Sequence, residues 1–153
     1  MIEDVVRDWH RLIRGDVPGD RDAFLTDLLA EDVVFYSPVV YTPQRGRDIT
    51  KLYLQAAAVT FDSGSGSEPG ESAGGGFRYT KQLLCGHQAA LEFETTMGGK
   101  YVNGVDLIEC NDAGKISEFR VMIRPLQAVH AVHAAMGAML KQLEASGGAP
   151  ERR

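Results

Sequence analysis

A single acidic residue inside an otherwise apolar, β-patterned stretch is the position in this sequence best suited to chemistry. The stretch is YVNGVDLIECN, residues 101–111. As a strand it places Val102, Gly104, Asp106 and Ile108 on one face and Tyr101, Asn103, Val105 and Leu107 on the other. Facing inward, Asp106 would lose its hydration, its pKa would rise, and a neutral carboxyl near pH 7 could serve as a hydrogen-bond donor or general acid. Facing outward, it would pair with a basic residue such as Arg120 or Arg124 on the adjoining strand. Neither face is uniformly apolar, so the pattern leaves both orientations open.

Two phenols, Tyr36 and Tyr41, flank the segment FYSPVVY, where a hydroxyl could bond a ligand while its ring packs. Other reactive residue types lack partners. His130 and His133 have the i, i+3 spacing of a chelating pair but no third acidic or imidazole ligand nearby in sequence. Cys85 and Cys110 lie in separate β-like stretches with no Cys or His at zinc-ligand spacing, which fits buried thiols. No metal and no cofactor is expected.

Partners are bounded by charge. The net charge of −5 is dispersed, and no run of Lys or Arg could follow a phosphate backbone, so nucleic acid is not expected. The opening MIEDVVRDWHRLIRG is charged from its third residue and suits neither a secretory leader nor a membrane span of roughly 20 apolar residues. A cytoplasmic protein is expected.

The elements that must position Asp106 follow from periodicity. Val5, Val6, Trp9, Leu12 and Ile13 predict a helix over 3–14 ending at Gly15, and Asp20 caps a second over 21–29. AEDVVFYSP predicts a strand, and 46–59 a third helix. Residues 62–76, DSGSGSEPGESAGGG, read as a mobile insertion, and 146–153 as a disordered tail, around a single domain over 1–145. An antiparallel meander is expected over 77–85, 89–97, 101–111 and 115–124. A last helix over 126–143 would present Leu126, Val129, His133, Met136, Leu140 and Leu143. Strand alternation turns Phe119, Val121 and Ile123 to the interior with Leu91 and Phe93, and leaves Glu92, Glu94, Arg120 and Arg124 outside. Helices followed by a curved antiparallel sheet make an α+β fold with a cavity between the layers.

The segment VDLIECNDAGKISEFRVMIRP resembles the last hairpin of nuclear-transport-factor-2-like (cystatin-like) proteins. LLAEDVVFYSP and RGRDITKLY fall in the matching order. That resemblance, over roughly residues 3–130, implies a cone-shaped α+β fold, its sheet wrapped around the N-terminal helices, a pocket for a small apolar or carbonyl-containing ligand, and a homodimer. Beside ketosteroid isomerases, whose site opposes an Asp base to a Tyr and a protonated Asp, Asp106 falls at the oxyanion-hole Asp and Tyr53 at a supporting Tyr. Ser37 stands at the general-base position and cannot take a proton at neutral pH without its own base. No Tyr occupies the catalytic position on the first helix, where Trp9 would line the pocket instead. Two of three isomerase groups are therefore absent. The limonene-epoxide-hydrolase pattern fails as well, since Gly104 replaces the expected Arg two residues before Asp106. SnoaL-like cyclases remain as a comparison in which one acidic residue on a late strand can act alone.

Overall fold

A computed structural model describes residues 1–62 and 76–145. Helix α1, Ile2–Arg14, buries Ile2, Val5, Val6, Trp9 and Leu12 along one stripe. It stops at Gly15, whose φ of 74° is open to glycine without a Cβ penalty and lets the next two N–H groups cap the Arg11 and Leu12 carbonyls. Helix α2, Arg21–Leu28, begins as expected at Asp20, whose carboxylate accepts the Ala23 N–H at 3.0 Å. The remaining elements are β1 Leu29–Tyr36, β2 Gln44–Arg45, α3 Arg47–Asp62, β3 Arg78–Cys85, β4 Gln88–Met97, β5 Lys100–Cys110, β6 Ile116–Arg124 and α4 Leu126–Ala145. Among the described residues, no helix is long and apolar enough to cross a membrane.

The strands form one curved, unclosed sheet in the order β2-β1-β6-β5-β4-β3. Strands β3 to β6 are the expected antiparallel meander. At the other edge the expectation needs correcting: β1 lies parallel to β6, because the chain returns to the sheet centre only after crossing it. The two-residue β2 pairs Gln44 and Arg45 with Phe35 and Val34. Helices α1, α3 and α4 pack on one face of the sheet, and the core lies between.

The frame of α4 also differs from the expected stripe. Ala128, Val132, Met136 and Leu140 are buried, whereas Leu126 and His133 are exposed. Leu126 opens the helix as it leaves β6, before any turn faces the core, so the inward stripe starts two residues later. Helix α3 runs to Asp62, three residues past its expected end. Residues 63–75 of the expected mobile insertion, and the expected tail at 146–153, lie outside the described residues.

Candidate functional site

Strand β5 carries Asp106 inward. Its register sets Leu91 of β4 and Val121 of β6 directly beside Asp106, so both cross-strand neighbours on that face are apolar. One row along, Phe93 and Ile123 flank Gly104. A Cβ at Gly104 would lie 2.4 Å from the Phe93 ring and 2.6 Å from the Met122 carbonyl oxygen. Glycine here is what allows the Phe93 ring to lie across β5 beside the acid.

The carboxyl is 5% exposed, and its partner is a phenol from the far edge of the meander. Tyr79 on β3 reaches over β4 and donates its O–H to Asp106 Oδ2 at 2.6 Å. Trp9 on α1 donates its indole N–H to the same Tyr79 oxygen at 2.8 Å. The chain of bonds therefore runs in one direction, from Trp9 through Tyr79 to Asp106. Phe77 and Phe93 meet the Tyr79 ring edge-on, at centroid distances of 5.1 and 6.4 Å, and His10 packs against it at 5.2 Å. His10 is in turn bonded to Gln82 at 2.8 Å. The phenol is thus held on several sides.

Electrostatics follow from this seclusion. Burial pushes the Asp106 carboxyl up to about 7, and the Tyr79 hydrogen bond opposes the shift only in part. The Tyr79 phenol is raised well above its ordinary value, by burial first and then by the neighbouring carboxylate. Tyr79 therefore remains a neutral donor across the working range of the acid. With Oδ2 accepting from Tyr79, Oδ1 is the oxygen left to carry a proton, and Asp106 itself lines the cavity.

That cavity has a volume of about 220 Å³. Its wall includes Trp9 and Ile13 of α1, Phe35 of β1, and Val132 and Met136 of α4. Of the residues expected in the site, Trp9, Phe93, Phe119 and Val121 line it together with Asp106.

Tyr36, Ser37, Tyr41 and Tyr53 do not line it, each for a local reason. Tyr36 follows the inward Phe35 and so points to the outer face, where the Arg120 guanidinium stacks 3.8 Å over its ring. The Ser37 hydroxyl accepts the Val39 and Val40 N–H groups at 3.2 and 3.3 Å, fixing a turn. Tyr41 is fully exposed. Tyr53 is buried in the core against Phe35, at a centroid distance of 5.3 Å. The outward alternative for Asp106 is excluded, since Arg120 pairs with Glu118 and Arg124 donates to Asn103.

Sequence reasoning missed Tyr79, Phe77 and the lining residue Arg21. A hint of the first two existed in the alternation of FRYTK, but nothing in the sequence tied Tyr79 to Asp106. Among the described residues, no three His, Cys, Asp or Glu side chains converge to hold a metal ion.

No family model and no curated protein matches the chain. Solved structures do. A steroid delta-isomerase from Pseudomonas aeruginosa is 29% identical, with 94% of this chain and 93% of that chain covered, at a TM-score of 0.77. An uncharacterised protein from Silicibacter pomeroyi with a cystatin-like fold is 33% identical, with 83% of this chain and 77% of that chain covered, at a TM-score of 0.66. A nuclear-transport-factor-2-like protein of unknown function from Mesorhizobium loti, 22% identical with 80% of this chain and 90% of that chain covered and a TM-score of 0.60, shares the fold. With the helix-wrapped curved sheet and its inward acid in place, these likenesses show that the chain belongs to the nuclear-transport-factor-2-like superfamily, on its ketosteroid-isomerase and SnoaL-like branch.

Proposed function

We propose that the protein is a cofactor-independent cyclase, isomerase or dehydratase acting on a compact apolar carbonyl compound, with Asp106 as the acid. The supporting observation is a buried carboxyl, pushed up to about 7, with one oxygen tied to Tyr79, on a residue that lines a largely apolar cavity. A general acid works best when its pKa lies near the operating pH. Oδ1–H would donate to the ligand's carbonyl oxygen as charge builds there, while Tyr79 and Trp9 stabilise the carboxylate left behind. The carboxylate left behind can take a proton from the carbon beside the carbonyl and, in a dehydration, deliver it to the departing hydroxyl; the carbonyl proton then returns to Asp106, so proton balance closes on one residue. A volume of about 220 Å³ falls below the roughly 300–1,000 Å³ typical of drug-sized ligands and favours a small ring compound.

One observation favours a second reading. Ser37, at the position of an isomerase base, is committed to its own turn, and among the described residues Asp106 is the only carboxylate lining the cavity. A site with a single proton-transfer group also suits a ligand-binding protein without turnover. Asp106→Asn separates the two when assayed against a panel of cyclic ketones and hydroxyketones. Loss of roughly 100- to 10,000-fold in turnover, with ligand affinity and fold retained, is the enzyme's result. Unchanged ligand properties in a protein that melts normally would reject the acid role and leave the binding module.

A further inference from the structure

The cavity wall holds a polar residue outside the Asp106 network. Among the described residues that line it, the ones with polar side chains, apart from the Met136 thioether, are Trp9, Tyr79, Asp106 and Arg21. The first three are bonded to one another in the interior. Arg21 opens α2, is exposed, and makes no hydrogen bond or ion pair among the described residues. Its acidic neighbours in sequence are engaged elsewhere: Asp20 caps the Ala23 N–H, and Asp22 binds Lys51 and Gln55. Arg21 and Asp106 do not pair with each other: only burial and the Tyr79 bond act on the Asp106 carboxyl. A permanently charged, exposed residue, with a fork of donors suited to a carboxylate, therefore borders an apolar chamber whose one acid among the described residues is buried and not paired with it.

From this placement we infer that the ligand is an oxo-acid, an apolar compound whose carboxylate meets Arg21 at the cavity mouth while its carbonyl oxygen reaches Asp106. The inference rests on the carbonyl reading of Asp106 and adds the chemistry of Arg21. An apolar body between two oxygen-bearing ends matches the lining between the two polar groups. Arg21 would set ligand orientation, so that a carbonyl and not the carboxylate is presented to the acid. A second anion beside Asp106 would meet a low-polarity wall and no cation.

The test uses the chain's one tryptophan, Trp9, which stands in the cavity wall and reports occupancy by its fluorescence. Two probes are titrated, 4-oxo-4-phenylbutanoate and its methyl ester, which share the aryl ketone and differ in charge. The wild type should bind the acid roughly three- to tenfold more tightly than the ester. Arg21→Gln should remove that preference without weakening the ester, and Arg21→Lys should keep part of it. Raising the salt concentration should narrow the gap in the wild type alone. Equal affinity for acid and ester in the wild type, or a preference that survives in Arg21→Gln, overturns the inference while leaving the cavity reading intact. Failure of both probes to perturb Trp9 overturns the inference together with the cavity reading beneath it.

Discussion

The two faces of this sheet each carry a tyrosine bonded to a carboxylate, and the two pairs behave in opposite ways. Inside, Tyr79 donates to Asp106 at 2.6 Å; outside, Tyr101 donates to Glu94 at 2.9 Å. Both phenols are raised. Yet Asp106 is pushed up by burial, and Glu94 is pulled down, first by its bond to Arg78 and then by the one to Tyr101. A phenol alone lowers a carboxyl's pKa in either place. What reverses the outcome is the rest of the surroundings, water and a guanidinium on one side, Leu91, Val121 and aromatic rings on the other. A few ångströms of sheet thickness separate an ordinary surface ion pair from a group able to hold a proton at neutral pH.

The comparison is broken most directly by removing the inner charge. Because folding raises the Asp106 pKa from 3.8 to about 7, the folded state holds a proton the unfolded chain has lost. Its contribution is complete below about pH 4 and declines as pH rises, until it is gone above about 7, a change of about 4 kcal/mol over that window. Asp106→Asn should remove this slope, so that the variant gains on the wild type from pH 4 to 8; urea melts across that range measure it. Equal slopes would mean that Asp106 is not sequestered in the folded protein.

Next in size is the glycine that supports the inner pair. Gly104→Ala forces its Cβ against the Phe93 ring and the Met122 carbonyl, and should cost about 2–3 kcal/mol in denaturant melts, with loss of the Trp9 fluorescence response to ligand. Tyr79→Phe comes third. It orphans the Trp9 N–H and should cost about 1–2 kcal/mol. It also removes the one interaction that lowers the Asp106 pKa, so the midpoint of the pH dependence should move above 7, read by the same melts or by carboxyl NMR titration. Smallest is the control on the outer face. Glu94→Gln should leave the melting temperature within about 2 °C of the wild type and the pH slope untouched, because its pair is solvated.

Much of this arrangement was legible in the sequence, for reasons that particular residues make clear. Strand β5 is long and regular, so alternation from Val102 to Ile108 was enough to put Gly104 and Asp106 on one face, and neighbouring strands in register brought Phe93, Phe119 and Val121 to it. The choice between faces required the tertiary structure, since both contained polar and apolar residues. Tyr79 was harder to read. A bulge between Tyr79 and Lys81 changes the parity of β3: Tyr79 pairs with Phe93, and Gln82 and Leu84, opposite Leu91 and Ala89, share its face of the sheet, though Gln82 is exposed there. Counting back by twos from Leu84 would have turned Thr80 inward and Tyr79 outward. The contacts that matter then span 27 and 70 residues, between elements whose approach no local pattern encodes. Tyr36 and Ser37 illustrate the converse, where plausible chemistry in sequence was spent on a surface cation–π contact and a turn.

The one-way chain from Trp9 through Tyr79 to Oδ2 of Asp106 has a stereochemical consequence. With Oδ2 tethered to Tyr79, a ligand bonded to Asp106 would meet it through Oδ1. A ligand held at both ends, as proposed, would have little room to turn over in a cavity of about 220 Å³. Proton delivery from that oxygen would reach only one face of a trigonal carbon, so a new stereocentre made here would be of one hand, decided by which side of β5 the acid hangs from.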